Sequence, residues 1–130
     1  MIELIYGAKG SGKTQRIIAK ANARVAHAKG NTVFITPVDK YSLDIDNNIR
    51  FVVTGEYGID KDCGLAAFIK GMLAANSDIG DIFIDGLARI GNIDPVAFIP
   101  KLDEIATRYN VNFTVTLSMA EVPDSLKRYL

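Results

Sequence analysis

Several residue types are scarce in this chain, and each scarcity excludes a class of protein or site. Among 130 residues there are one cysteine, one histidine and no tryptophan. Because Cys63 stands alone, an intrachain disulfide and a cysteine-based zinc site are excluded, and a single histidine cannot form a histidine pair on a metal. The apolar runs are no longer than a β-strand, so the sequence predicts no segment that spans a membrane.

The chain also lacks an excess of either charge. Lys plus Arg and Asp plus Glu both number 15, so the formal net charge is zero. This balance does not indicate nucleic-acid binding, for which a basic surface is typical. The 48 % hydrophobic content favours one globular domain over residues 1–130. Because the first residues enter a predicted strand, we expect no signal or transit peptide, and a cytoplasmic location.

The most informative segment is rich in glycine. Residues Gly7–Thr14 read Gly-Ala-Lys-Gly-Ser-Gly-Lys-Thr and are called the glycine loop below. The loop follows an apolar run at 2–6 and precedes an amphipathic helical pattern. A strand, a glycine loop, Lys-Thr and a helix in that order form the phosphate-binding P-loop. We expect Gly7, Gly10 and Gly12 to allow backbone angles that a Cβ forbids, so that amide groups turn toward phosphate oxygens.

The residues of this loop have distinct expected roles. Lys13 is predicted to reach the β- and γ-phosphates, and the Thr14 hydroxyl to bind Mg²⁺. The predicted nucleotide-binding residues are Gly7, Ala8, Lys9, Gly10, Ser11, Gly12, Lys13 and Thr14. The sequence therefore predicts a nucleoside triphosphate as ligand. ATP is the expected nucleotide, because the chain has no guanine-reading Asn-Lys-x-Asp motif.

Hydrophobic periodicity predicts strands that alternate with helices. The predicted strands are 2–6, 32–36, 49–53, 81–85 and 112–117. Residues 41–53 are compatible either with a hairpin or with an edge strand. This alternation predicts an α/β fold of three layers, in which helices cover both faces of a mainly parallel sheet.

The predicted helices have identifiable start and stop signals. The first is expected to run from Lys13 to about 29, with Gly30 as a left-handed C-cap, and the second to cover about 65–73 after an N-cap at Asp60 or Asp62. Pro100 is expected to split 94–109 into a short turn and a helix. A short terminal helix is expected to begin at Pro123.

An apolar strand that ends in aspartate predicts the second half of the site. Ile82-Phe83-Ile84-Asp85 has this form. Because parallel strands end at one edge of a sheet, Asp85 is expected to face Thr14 and to hold Mg²⁺ directly or through water. The predicted catalytic residues are thus Lys13 and Asp85, and the predicted metal ligands are Thr14 and Asp85. Asp81, at the other end of this strand, is predicted to be solvated.

Together, Gly7–Thr14 and Ile82–Asp85 resemble the P-loop NTPase superfamily. The separate Asp85 strand and the polar Thr116 and Ser118 are similar to its RecA-like, additional-strand division. In its loop from Tyr6, its Asp85 strand and its length, the chain also resembles small P-loop proteins of Firmicutes that are often labelled twitching-motility proteins. The similarity to the RecA-like division implies that strand 112–117 lies between the strand before the glycine loop and the Asp85 strand. It also implies that Thr116 or Ser118 lies near the γ-phosphate or the attacking water. Ordinary strand and turn positions are the alternative.

The similarity to the RecA-like division also implies a glutamate directly after the metal-binding aspartate, where its side chain would polarise the attacking water. Gly86 occupies that position here. Glu56 and Glu121 follow strand-like runs and are alternative candidates for the base. Arg89, four residues after Asp85, is predicted to be a solvated loop residue rather than a contact to phosphate or to a partner.

A weaker similarity, to thymidine kinases, is carried by Val33–Asp39, which reads Val-Phe-Ile-Thr-Pro-Val-Asp. Three functions therefore stay open. The first is Mg²⁺-dependent binding of ATP or another triphosphate with weak or partner-stimulated hydrolysis. The second is a small-molecule or nucleoside kinase, and the third is a non-catalytic nucleotide-binding module that contacts a protein partner or forms a homo-oligomer.

Overall fold

The framework of the structure is one sheet of five strands. A computed structural model describes all 130 residues, Met1–Leu130. The strands are β1 (Ile2–Gly7), β2 (Asn31–Thr36), β3 (Ile49–Val53), β4 (Ile79–Ile84) and β5 (Asn112–Ser118). All neighbours are parallel, in the order β1-β5-β4-β2-β3. The predicted parallel sheet is confirmed, and β5 lies between β1 and β4 as the resemblance implied.

Three helices cover the two faces of this sheet. They are α1 (Lys13–Val25), α2 (Asp62–Ala75) and α3 (Pro95–Tyr109). Helix α1 lies on one face, where Ile17, Ile18 and Ala21 share a buried cluster with Phe34 and Phe83. Helices α2 and α3 contribute to a larger buried cluster on the opposite face. The predicted three-layer α/β architecture is therefore present. None of the helices is both long and apolar enough to cross a lipid bilayer.

Strand β4 places its side chains alternately on the two faces. Phe83 packs in the α1 cluster, whereas Ile82 and Ile84 pack in the cluster on the other face. Because side chains alternate along a strand, Asp81 and Asp85 lie on the same face as Phe83 and therefore beneath α1. Asp81, the third residue of β4, and Asp85, directly after its last residue, thus lie four positions apart on one face.

Residues 41–53 do not form a hairpin. Ser42–Asp44 is a 3₁₀ turn, and β3 runs parallel to β2 at the edge of the sheet, so the edge-strand alternative is correct. The side chain of Asn22 explains the difference. Its Nδ2 donates to the Asp44 carbonyl at 2.8 Å, and its Oδ1 accepts from the Asp46 amide at 2.9 Å. These two hydrogen bonds hold residues 44–46 against α1, whereas a hairpin would require residues 41–45 to pair with β3.

Pro100 lies inside α3 and does not split it, so that prediction was wrong. A proline in a helix interior costs about 3 kcal/mol, because it removes one backbone hydrogen bond and crowds the carbonyl one turn earlier. Two features offset this cost. Asp94 caps the helix by accepting from the Val96 amide at 3.0 Å, and Phe98, Ile99 and Leu102 are fully buried. Each such side chain stabilises the fold by about 1.5–3 kcal/mol.

Two predicted helix boundaries also differ from the structure. Helix α1 ends at Val25, and Gly30 is not a left-handed cap. Because Gly30 has no Cβ, its backbone can lie close to the Asp78 carbonyl. The oxygen of that carbonyl accepts a hydrogen bond from the amide of Asn31, the first residue of β2, at 2.8 Å. Helix α2 has Lys61 at its N-cap, not an aspartate. The predicted short terminal helix is confirmed: Asp124–Tyr129 is a 3₁₀ helix with Pro123 at its N-cap.

Candidate functional site

The glycine loop lies at the carboxyl edge of the sheet, between the end of β1 and the first turn of α1. Gly10 and Gly12 have φ angles of 82° and 84°, which are left-handed values that an L side chain rarely adopts. The prediction is correct for these two residues and wrong for Gly7, whose φ is not positive. At Gly7 the lack of a side chain instead leaves room for the Ser11 hydroxyl, which a Cβ there would force to move.

The first turn of α1 has features that favour an anion. Gly12 is its N-cap, no side chain caps the helix, and the first turn contains no acidic residue. The leading amide groups of a helix have no partner within it and carry the positive end of the helix dipole. Residues 8–12 are exposed, and the four principal cavities are lined by other residues. The loop is thus an open cradle and not an enclosed pocket.

Lys13 is held across this cradle. Its side chain is buried, and Nζ donates to the Ala8 carbonyl at 3.0 Å. The ammonium therefore links the two ends of the loop. A lysine has three donors, so an anion in the cradle can replace the carbonyl as its partner without leaving the charge unpaired.

Asp85 lies directly after β4 and is 3 % exposed. Its Oδ2 accepts from the Thr14 hydroxyl at 3.1 Å, and its Oδ1 accepts from the Thr116 hydroxyl at 2.6 Å. The one cationic group within 4.0 Å is Arg89, whose Nη2 lies 3.9 Å from Oδ2. The fold thus brings the carboxylate to the first turn of α1, and its charge has no close ionic partner.

Thr116 connects Asp85 to the turn that follows it. Its hydroxyl donates to the carboxylate and accepts from the Gly86 amide at 3.2 Å. This orienting role was not predicted, and a γ-phosphate role for Thr116 stays a prediction. Ser118 is exposed at the end of β5, in register with Gly7 of the loop.

Neither glutamate proposed as a base contacts this cluster. Glu56 follows β3, which is two strand positions from β4, or about 10 Å across the sheet. Glu121 follows β5, two residues beyond Met119, which bridges to Gly7. Both side chains are exposed, and neither forms an ion pair or a hydrogen bond with the cluster residues.

Two polar residues on the α1 face were misjudged from the sequence. Thr36 ends β2 next to Asp85, is 1 % exposed and had no predicted role. Asp81 was predicted to be solvated but is 6 % exposed, because Arg24 and Asn112 cover it. The sequence signal for both was a polar residue within an apolar strand. Its partners could not be identified from the sequence, because they depend on the order of the strands in the sheet.

The donor set fits a hard divalent cation that shares its coordination with another ligand. Thr14 Oγ1 and Asp85 Oδ2 are oxygen donors in contact, as Mg²⁺ requires. No group of three or more His, Cys, Asp or Glu side chains could hold a metal by itself. Mg²⁺ in nucleotide sites is held by one or two protein oxygens together with phosphates and water, and this pair is sufficient for that arrangement.

Comparisons with known proteins add no functional assignment. No protein-family model matches this chain, and no curated protein matches it. The geometry of the site therefore carries the functional argument.

Proposed function

We propose that this protein binds a nucleoside triphosphate, with ATP as the expected nucleotide, in a Mg²⁺-dependent manner, and that hydrolysis is weak or stimulated by a partner. One observation carries the proposal: the Thr14 hydroxyl contacts Asp85 at 3.1 Å. This contact joins the glycine loop to the aspartate of a strand 71 residues away. A loop with only a structural role would not require a buried carboxylate at that position.

The phosphate-binding part of the proposal rests on the loop and on Lys13. Left-handed Gly10 and Gly12 and the uncapped first turn of α1 supply amide donors and a favourable dipole. Lys13 is near enough to contact the Ala8 carbonyl, and it supplies the positive charge that a terminal phosphate needs. These residues bind and orient the phosphates.

The metal-binding part rests on Thr14 and Asp85. Mg²⁺, when bound with the nucleotide, supplies charge neutralisation for the phosphates. Thr116 keeps Asp85 turned toward Thr14 through its 2.6 Å hydrogen bond. A metal carboxylate that is oriented in this way loses little conformational freedom on binding.

Weak hydrolysis follows from the residues around Asp85. Phosphoryl transfer to water needs a group that positions or deprotonates the water. Gly86 has no side chain for this purpose, and neither Glu56 nor Glu121 contacts the cluster. A residue from a protein partner or from a second copy of the chain could supply the missing group.

Isothermal titration calorimetry tests the proposal. We expect the intact protein to bind ATP in the presence of Mg²⁺, and EDTA to weaken binding by about tenfold or more. Lys13→Ala should abolish measurable binding, whereas Lys70→Ala, which removes an exposed lysine on α2, should not change it. If neither Mg·ATP nor Mg·GTP bound to the wild-type protein, the proposal would be wrong.

A further inference from the structure

Arg89 occupies the space next to Gly86 in which a side chain on that residue would begin. A Cβ added to Gly86 would lie 2.9 Å from Arg89 Nη2 and 3.2 Å from its Nε. Gly86 also has a φ of 85°, which an L side chain rarely adopts. The glycine is therefore a condition for the position of Arg89, and a glutamate there would displace the guanidinium.

The same turn orients Arg89 toward Asp85. Residues Leu87–Arg89 form a 3₁₀ turn in which the Arg89 amide donates to the Gly86 carbonyl at 2.9 Å. The Gly86 amide in turn donates to Thr116, which also bonds Asp85. Arg89 is thus fixed at its backbone to the network of the metal carboxylate, while its side chain is about half exposed and can move.

Arg89 and Thr14 approach the same carboxylate oxygen. Arg89 Nη2 lies 3.9 Å from Asp85 Oδ2, which also accepts from the Thr14 hydroxyl. When that oxygen serves a divalent cation, repulsion between like charges disfavours the guanidinium at this position. A displaced guanidinium needs another anionic partner, and a phosphate oxygen on the bound nucleotide is one that it can bind through two parallel hydrogen bonds.

We propose that Arg89 binds the terminal phosphate of the nucleotide and thereby makes the site selective for triphosphates over diphosphates. This inference rests on the proposed function and deepens it, because it identifies the group that distinguishes the two nucleotides. It also assigns a role to Gly86. Because Gly86 has no side chain, the Arg89 guanidinium lies next to Asp85, in the space that a glutamate side chain at position 86 would enter.

A different role for Arg89 makes a different prediction. If the guanidinium only neutralised Asp85, its removal would free the carboxylate, and Mg·ATP and Mg·ADP would both bind as tightly as before or more tightly. If Arg89 binds the terminal phosphate, its removal weakens binding of Mg·ATP alone. The ratio of the two affinities therefore separates the two roles.

The experiment is isothermal titration calorimetry of Mg·ATP and Mg·ADP with the wild-type protein, Arg89→Ala, Arg89→Lys and Arg50→Ala. We expect Arg89→Ala to weaken Mg·ATP binding by about tenfold and Mg·ADP binding by less than about twofold. Arg89→Lys should recover only part of the loss, because an ammonium cannot bind a phosphate through a planar fork. Arg50→Ala removes an exposed arginine on β3 and should leave both affinities unchanged.

The remaining outcomes each decide the matter. Equal loss for both nucleotides, or no loss for either, with wild-type binding intact, would overturn the assignment of Arg89 and leave the proposed function in place. Failure of the wild-type protein to bind either nucleotide would overturn the proposed function and this inference with it. Circular dichroism melting of each variant verifies that an affinity change is not caused by unfolding.

Discussion

The two aspartates of strand β4 lie on one face of the same strand, but they have different partners. Asp81, in the amino-terminal half of β4, accepts from Arg24 Nε at 3.2 Å and from Asn112 Nδ2 at 3.4 Å. Asp85, at the carboxyl end, accepts from the hydroxyls of Thr14 and Thr116 and has its nearest guanidinium at 3.9 Å. Asp81 has an ionic partner at hydrogen-bond distance, whereas the hydrogen bonds to Asp85 come from neutral hydroxyls and its one ionic partner is more distant.

This difference is what the proposed function predicts for a structural aspartate and a metal-binding one. A buried carboxylate is unfavourable unless a charge or several hydrogen bonds compensate it. Arg24 provides that compensation for Asp81 and also ties α1 to the sheet. At Asp85 the compensation is incomplete in the protein alone, and a cation next to Thr14 would complete it.

The largest effect that tests this comparison is expected from Asp85→Asn. The variant should lower the affinity for Mg·ATP roughly 100-fold, because it removes the charged metal ligand. Its thermal stability should be unchanged or higher, since the variant removes a buried charge whose nearest ionic partner, the half-exposed Arg89, lies 3.9 Å away. Titration calorimetry and thermal melting measure the two effects. A lower melting temperature with unchanged nucleotide affinity would contradict the functional role.

The same substitution at the other end of the strand should give the opposite result. Asp81→Asn is expected to lower the free energy of unfolding by about 2 kcal/mol, a value reduced from that of a fully buried pair because Arg24 is half exposed. Nucleotide affinity should stay within about twofold of the wild-type value. Urea unfolding and calorimetry make the measurement. A large loss of affinity would mean that the two aspartates are not functionally distinct.

A smaller effect is expected from Thr116→Val. This change keeps the shape of the side chain but leaves the Gly86 amide and one oxygen of Asp85 without the hydroxyl. We expect a loss of about 1–2 kcal/mol in stability and a several-fold weaker binding of Mg·ATP. Thr114→Val is the matched control, two residues earlier on the same face of β5, and should have neither effect on nucleotide binding. Identical behaviour of the two variants would argue against the orienting role.

The smallest effect concerns an exposed aspartate. A side-chain hydrogen bond from Lys101, 3.2 Å away, together with the Cys63 amide, lowers the pKa of Asp62 below its usual 3.8. The stabilisation is therefore present above the pKa of the unfolded state and is lost as pH falls through the lower pKa of the folded state. Urea unfolding between neutral pH and acid should show Asp62→Asn slightly less stable than the wild type at neutral pH. The difference should vanish in acid; a difference that persists there would exclude this ion pair as its cause.

Local patterns were sufficient to predict much of the fold and part of the site. Hydrophobic periodicity placed the ends of all five strands within two residues, and the largest difference is at the amino end of β4. The glycine loop and the aspartate after β4 were found from short motifs, and the parallel arrangement then predicted that Thr14 and Asp85 would meet. The 3.1 Å contact confirms that expectation.

The predictions that failed depended on distant partners. Asp81 looks solvated because it begins an apolar strand, but Arg24 and Asn112 reach it from 57 and 31 residues away along the chain. Pro100 looks like a helix breaker, but the buried residues around it keep α3 continuous. A window of neighbouring residues contains neither piece of information.

The sequence by itself determined the alternation of strands and helices, the left-handed glycines of the loop and the residue types offered to a phosphate and a cation. These features depend on backbone sterics and on periodicity over a few residues. Only the tertiary structure decided which aspartate is neutralised, that Thr116 orients the other one, and that Gly86 makes room for Arg89. Those contacts depend on the order and register of β4 and β5 and on the placement of α1 over them, which join residues that are far apart in the sequence.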